Sequence, residues 1–550
     1  MNSIAKCLLD LKIERVFGVP GYPVLSLIDF LQSHGVQYIS MRNEQSASYA
    51  AAAHSYLSPP GICLSSAGPG FVNCLSGVAF AKENKWPLIL IAGTTNRLYH
   101  KNHFRPCKNH HISTGRFLQL DQLEIIKPFV KRSYSSNILS LSDSLNDAVI
   151  NCLKPPIGPC YIDLNFNENE SFIPENTTSN MCVKHTTFET ELNNIDEVVD
   201  ALKNSKRPLL VVGKGCRFSA GYDFWIRKFI DTMQIPFLPM PMARGTVKDS
   251  HKLCVRSSRS YALKKSDLIL IFGSRLNWQL EIKNKDCTIV QIDIDAIELS
   301  RSALLSNSKI LRVESDVSTF CEHILKQYST IDTLRQSWIQ QLHEVGFKNV
   351  KVLKSMIYQE SPVGSTMTHI QALSIISELL PKDCIIVNEG GNTMDYGRIV
   401  FIHSNPMTRL DAGTFGSMGV GVPFAIAASL INRKVRVVCI SGDSAFGFTA
   451  MDIDTAARYR LPVLFIVFNN GYIYRSRGQE YKLTDFSDPL QLDHNTKYEH
   501  IAHAFNCPGV RVNSASELKD AMINFMRIEN KPSLINVQID SNSGKSMIDH

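Results

Sequence analysis

Short apolar runs recur along the chain, each breaking off in glycine or a polar residue and giving way to a stretch with helical spacing. Residues 1–164 carry ERVFGV, VQYISM, GICLSS, PLILIAG and a further strand at 160–164, with alanine-rich or amphipathic stretches between them. Strands alternating with helices predict a parallel sheet covered by helices. The pattern repeats in 194–327 with RPLLVV, IPFLPM, DLILIF and CTIVQID, and again in 367–550 with CIIVNEG, VRVVCIS, LPVLFIVF and SLINVQI. Residues 165–193 are polar and rich in Asn, Thr and Glu, as a surface linker is. Residues 328–366 read as a polar helical connector. The expected architecture is α/β, with three doubly wound parallel-sheet domains at 1–164, 194–327 and 367–550. No short repeat or low-complexity tract is visible.

Composition narrows the class. With 550 residues the chain exceeds what one core supports. Its 44% hydrophobic and 20% charged residues are ordinary for a globular protein. A net charge of +7 without long basic runs argues against nucleic acid and leaves room for an anionic small molecule. The 14 cysteines form no CxxC pair, and many lie in apolar runs, which predicts reduced, buried thiols. No apolar run approaches the length of a membrane span. The start lacks the apolar core of a signal peptide, and Ile548-Asp549-His550 is not a peroxisomal S-K-L address. A cytoplasmic location is the expectation from these residues.

Candidate chemistry sits at strand ends. VRVVCISGDSAFGF and LPVLFIVFNNGYIY each run from an apolar strand into small and polar residues, with Asp443 27 positions before Asn470. Parallel strands joined by a helix lie side by side with their carboxyl ends at one edge. The segment TAMDIDTAARYR reads as that helix. Asp443 and Asn470 are thus expected to face one crevice, where two hard oxygens suit magnesium and Gly442, Ser444 and Ala445 let backbone amides approach a phosphate. A helix cap at Asp443 and an Asn-Gly turn at 470–471 fit these residues equally well. Glu44 stands where VQYISM meets a helix. It either serves the helix dipole or is a carboxyl poised to exchange a proton with a heterocycle. SSAGPGFVN at 65–73 is a glycine-rich turn after a strand. His and Cys residues at 100, 103, 107, 110 and 111 have spacing compatible with zinc.

Together NEQ (43–45), FGSMGVGVPFAIAAS (415–429), GDS (442–444) and NN (469–470) resemble thiamine diphosphate-dependent enzymes, with Met418 25 residues before Asp443. MRNEQSASYAA, NEGGNTMDYGR, RLDAGTFGSMGVGV, GDSAFGFTAMDIDTAARY, PFLPMPMARG and GSRLNW are most similar to 2-hydroxyacyl-CoA lyases and oxalyl-CoA decarboxylases within that family. The resemblance covers nearly the whole chain. It implies thiamine diphosphate and Mg²⁺ as cofactors, with pyrimidine-binding, central and diphosphate-binding domains in that order. Glu44 would hydrogen-bond the pyrimidine ring, the Gly416 carbonyl would accept from its amino group, and Met418 would support the bent cofactor. Asn392, Thr393, Gly442, Ser444, Ala445 and Ile473 would line the cofactor. Asp443, Asn470 and the Tyr472 carbonyl would hold the metal. Tyr474 and Gln119 would stand near the reacting group, and Lys214, Arg275 and Asp293 would bind the ADP portion of an acyl-CoA. The first domain of one copy would meet the third domain of another, so a homodimer or homotetramer is implied. Peroxisomal family members offer that organelle as the alternative location.

Three departures stand out. Leu118 occupies a position where the family carries a polar residue, Pro156 stands where it has arginine, and the tail after INVQID is short. They leave open an acetolactate synthase-like keto-acid enzyme, and also a cofactor-binding relative without catalysis.

Overall fold

The computed structural model describes residues 8–95, 118, 120–137, 140–166, 192, 194–277, 280, 282, 284, 286–301, 309–327, 335–359, 366–473 and 489–543. It contains three parallel sheets in three successive segments. The first has strands β1 (Arg15–Gly18), β2 (Gln37–Ser40), β3 (Gly61–Ser65), β4 (Leu88–Thr95), β5 (Arg132–Asn137) and β6 (Cys160–Phe166), in the order β2-β1-β3-β4-β6-β5. The second has β7 (Pro208–Val212), β8 (Phe237–Pro239), β9 (Leu268–Phe272), β10 (Thr288–Asp293) and β11 (Ile310–Glu314), in the order β11-β10-β9-β7-β8. The third has β12 (Ile385–Glu389), β13 (Arg409–Asp411), β14 (Val437–Gly442), β15 (Val463–Asn469), β16 (Gly509–Val512) and β17 (Ser533–Gln538), in the order β13-β12-β14-β15-β17-β16.

Central strands such as β9, β14 and β15 are apolar and almost wholly buried, because helices cover both faces of each sheet. Four strands escaped the hydropathy reading: β5, β11, β13 and β16. All four are sheet edges. An edge strand has one neighbour and partial solvent contact, so RSYSSN in β5 needs no apolar run. The crossover after β14 also differs from the single helix expected over TAMDIDTAARYR, residues 449–460. It is broken into Asp443–Gly447, a 3₁₀ turn at Ala450–Asp452 and Ile453–Arg458. The connector contains the helix Gln336–Ile357. Among the described residues no helix is long and apolar enough to cross a membrane, and eleven cysteines are free thiols, ten of them buried.

The first and third domains share one core. The helix Glu44–Leu57 lies against the helix Gly421–Ile431. The run Ala50–Ala53 is fully buried, and small side chains there let the two backbones approach. Phe424 fills the remaining space, 5.5 Å from the Phe80 ring and 5.8 Å from Trp86. Truncating such a buried phenylalanine to alanine typically costs about 3–5 kcal/mol. Polar ties reinforce the junction: Arg42 N donates to Asp452 Oδ1 at 2.9 Å, and the Tyr459 hydroxyl donates to the Tyr38 carbonyl at 2.9 Å.

Candidate cofactor and metal site

The central strands β12, β14 and β15 end at one rim. Glu389 pairs in register with Ser441, and Gly442 with Phe468, which sets Gly390 level with Gly442 and Asp443 level with Asn469. Asp443 is buried. Its Oδ1 accepts from Ser444 N and its Oδ2 from Gly471 N, both at 2.8 Å. Burial pushes its carboxyl up to about 6, against the pull of those amides.

The atom of the Asn470 amide that faces inward lies 3.1 Å from the Tyr472 carbonyl oxygen and 3.2 Å from Asp443 Oδ1. With nitrogen there, the amide donates to both. With oxygen there, three oxygens converge. Octahedral magnesium, with bonds of about 2.0–2.1 Å, holds adjacent ligands roughly 3 Å apart. The donor set of one carboxylate, one amide and one backbone carbonyl therefore fits magnesium, the remaining positions falling to phosphate and water. Among the described residues no group of three His, Cys, Asp or Glu side chains forms an alternative metal cage.

Beside this corner, Gly390 adopts φ +92°, and a Cβ there would stand 3.0 Å from Gly442 N. Only glycine permits that approach of β12 to β14. Asn392 and Thr393 follow, both buried, at the start of the helix Gly391–Val400. Ala445 is buried and Ser444 half-buried. Tyr472 bridges to Gln491, and Ile473 N donates to the Leu490 carbonyl at 2.7 Å, so residues 490–491 wall the far side. Gly416, at φ +72°, is exposed, with open space where a Cβ would stand, and Met418 is half-buried.

Glu44 begins its helix behind the cap Asn43, whose side chain accepts from Gln45 N at 2.7 Å. Its Oε2 accepts from Asn73 Nδ2 at 3.1 Å, and Gly70 closes against its Oε1. Among the described residues no hydrogen bond or ion pair joins this carboxylate to the β14–β15 rim. Leu118, at φ +58°, has its carbonyl against the Gly68 turn. Gln122 fixes the same turn by accepting from Gly68 N at 2.8 Å, while its amide nitrogen donates to Tyr161, Asp163 and the Gly93 carbonyl. Gln119, Tyr474, the His and Cys residues of 100–111 and the tail beyond 543 lie outside the described residues.

Lys214, Arg275 and Asp293 line one crevice of about 130 Å³ where the three domains meet. Pro156 immediately precedes its lining residue Ile157. These charges are not bare. Lys214 Nζ donates to Asn84 Oδ1 and lies 5.6 Å from the Trp86 ring centre. Arg275 Nε pairs with Glu298 at 3.2 Å, and Lys85 pairs with Asp295 at 2.9 Å. Burial draws the Lys214 amine down to about 7, aided by Arg275. Burial lifts Asp293 to about 7, with Asp295 and Glu298 adding repulsion.

The sequence reading missed Asn73, Asn84, Gln122, Asp295, Glu298 and Glu389. Only Glu389 left a readable trace, as an acidic residue ending the strand in CIIVNEG. The others matter through contacts with remote segments.

Family models agree with this geometry. Residues 1–124 match the N-terminal TPP binding domain of thiamine pyrophosphate enzymes, 195–324 their central domain, and 389–537 their C-terminal TPP binding domain. The chain is 34% identical to 2-hydroxyacyl-CoA lyase 1 of Mus musculus, over 99% of this chain and 95% of the relative. It is 33% identical to oxalyl-CoA decarboxylase of Escherichia coli K12, with the same coverage of both chains. It is 31% identical to 2-hydroxyacyl-CoA lyase of Saccharomyces cerevisiae, over 99% of this chain and 97% of the relative. The chain belongs to the thiamine pyrophosphate enzyme family and is a thiamine diphosphate-dependent carbon–carbon lyase.

Proposed function

We propose that the protein cleaves a 2-hydroxyacyl-CoA into an aldehyde and formyl-CoA, using thiamine diphosphate and Mg²⁺. The observation that carries the cofactor reading is that the Asp443 carboxylate and the Tyr472 carbonyl each stand within about 3 Å of the Asn470 amide at the rim of three buried parallel strands. Full-length similarity to 2-hydroxyacyl-CoA lyases supports the substrate class. When bound, thiamine diphosphate supplies the electron sink for the breaking carbon–carbon bond.

The chain's own residues do the rest. Asp443, Asn470 and the Tyr472 carbonyl grip the metal, and Gly390 and Gly442 leave room for the diphosphate. Glu44 hydrogen-bonds the pyrimidine, with Asn73 orienting its carboxylate. Gly416 and Met418 support the bent cofactor. In the reaction the substrate hydroxyl loses its proton as the aldehyde carbonyl forms, and the formyl carbon gains one. Lys214, Arg275 and Asp293 hold the nucleotide end of the thioester in the three-domain crevice. The family resemblance assigns Gln119 and Tyr474 roles near the reacting group, and Leu118 brings no polar group to that stretch of chain.

A second copy of the chain completes the site. Val72, beside Asn73, and Phe415, Phe448 and Met451, beside the loop and rim, are 44–60% exposed in the single chain. Apolar side chains grouped in this way at both halves of a site suit burial by a partner.

Oxalyl-CoA decarboxylation, giving carbon dioxide and formyl-CoA, is the second reading, on the similarity to oxalyl-CoA decarboxylase. The test is incubation with thiamine diphosphate, Mg²⁺ and a panel of 2-hydroxyacyl-CoAs, oxalyl-CoA and pyruvate, with products identified by mass. Formyl-CoA with a chain-shortened aldehyde is expected. Acetolactate from pyruvate, or no product from any substrate, would refute the proposal. Light scattering should give at least twice the 61.6 kDa chain mass.

A further inference from the structure

The loop from Ala412 to Val420 is tied at both ends and open between. At its start, Gly413 N donates to Asp411 Oδ1 at 3.0 Å and Gly416 N to the Ala412 carbonyl at 3.2 Å. At its end stands Glu389, the last residue of β12, 1% exposed. Its Oε1 accepts from Val420 N at 2.8 Å and its Oε2 from Gly421 N at 2.9 Å, while the Ser441 hydroxyl donates to Oε2 at 3.2 Å. One carboxylate thus ties β12, β14 and the first turn of the helix Gly421–Ile431. Gly421 is small for a visible reason: a Cβ there would stand 2.6 Å from Glu389 Oε2 and 3.2 Å from Cys439 Sγ. Thr449 adds a further tie, its hydroxyl donating to the Gly419 carbonyl at 3.1 Å. Between these anchors residues 413–418 are exposed or half-buried.

We propose that Glu389 is a positioning residue for cofactor binding, gripping the end of this loop so that Gly416 and Met418 are held in one orientation against the strand rim. The proposal rests on the cofactor role given to Gly416 and Met418 above. Both carboxylate oxygens of Glu389 are taken up by backbone amides. Its action runs through backbone amides, and that sets the required chemistry. Each carboxylate oxygen meets an N–H, whereas a glutamine has one acceptor and would turn its NH₂ toward the other amide. A buried N–H left facing a donor is costly. Burial raises the pKa of Glu389, while the amide and hydroxyl hydrogen bonds and the positive end of the eleven-residue helix favour its ionised form.

The diphosphate corner and the loop are separate parts, so they can be tested separately. Calorimetric titration with Mg²⁺–thiamine diphosphate and with Mg²⁺–pyrophosphate should show the unmodified protein binding both. Glu389→Gln is expected to weaken thiamine diphosphate about 10-fold or more, with pyrophosphate unchanged. Gly421→Ala, which crowds the carboxylate without removing it, should reproduce the split. Wild-type affinity for thiamine diphosphate in both variants overturns the proposal, as does an equal loss of both ligands. An unmodified protein that binds pyrophosphate but not thiamine diphosphate refutes the cofactor reading itself, and the proposal with it. Should Glu389→Gln not fold, hydrogen exchange on the unmodified protein decides. The amides of Val420 and Gly421 should exchange far more slowly than those of 414–418, and uniformly fast exchange overturns the grip.

Discussion

The first and third sheets are one topology used twice. Numbered within each domain, both run in the order 2-1-3-4-6-5. Equivalent elements follow: the helix Glu44–Leu57 comes after the second strand of one sheet, and the loop 412–420 with the helix Gly421–Ile431 comes after the second strand of the other. Those two helices pack against each other, so the halves meet through matching parts. The rims carry different chemistry. After the third strand the first domain has Ser66-Ala67-Gly68-Pro69-Gly70, with no carboxylate, and the third has Asp443-Ser444-Ala445. The first contributes a half-buried acid, Glu44, and the third a buried carboxylate, Asp443, with the Asn470 amide and the Tyr472 carbonyl beside it. The shared topology supplies a crevice, and a few residues at strand ends decide what it holds.

Asp443→Ala should break this contrast most completely. It removes the carboxylate beside the Asn470 amide and the Tyr472 carbonyl and makes the third-domain rim as bare as the first. Binding of Mg²⁺–pyrophosphate by calorimetry is expected to become undetectable, and turnover with it. Retained binding would remove Asp443 from the metal site. Glu44→Gln should sharpen the contrast instead. Pyrophosphate binding stays, because the metal corner lies in the other domain, while turnover falls on the order of 10²–10⁴-fold. Unchanged turnover would mean that Glu44 serves only its helix.

How far the chain could be read follows the same division. Central strands were legible because burial on both faces enforces continuous apolar runs. Edge strands β5, β11 and β16 were not, since one neighbour and partial solvent contact enforce no pattern, and β13, though buried, is only three residues long with a charged residue at each end. The Asp443–Asn470 pairing was legible from strand and crossover lengths alone. The twin topology was not: it lies in strand order, and the rims SSAGPG and GDSAFG share little at residue level. Asn84 beside Lys214, or Glu298 beside Arg275, are contacts across about 130 and 23 residues of chain, and no local spacing encodes them. Glu389 was half-legible. A glutamate ending a buried strand is unusual, but its partners lie 31 and 32 residues on.

Both twin domains hide histidines, His54 in the first and His369 and His403 in the third, and acid should act on them. His54 and His369 are 4% and 2% exposed, and burial draws both rings down to about 4. A histidine held neutral in the fold charges more readily when unfolded. Its stabilising effect is complete above about 6.5 and is lost as pH falls toward about 4. The expected loss is on the order of 3 kcal/mol for each ring. His369 has a partner at Nδ1, Ser543 Oγ at 2.8 Å, whereas His54 Nδ1 has none among the described residues. His54→Phe, set against the Phe17 ring, should therefore be tolerated at pH 7 and should flatten the acid limb of a plot of Tm against pH. An unchanged acid limb would show that His54 does not titrate between the two states.

The smallest effect is expected at the three-domain crevice, where charges are already paired. Arg275 can attract a phosphate only by giving up part of its ion pair with Glu298. Its net contribution is the difference between two similar interactions in a partly solvated place. Arg275→Ala should raise KM for the acyl-CoA about 3–10-fold with kcat unchanged, the signature of binding energy shared by ground and transition states. Glu298→Gln gives the sharper reading because its sign is opposite. It frees the guanidinium and lessens the repulsion on Asp293, so KM should fall. If both substitutions raise KM equally, the Arg275–Glu298 pair acts as a structural unit and the nucleotide end of the substrate is held elsewhere.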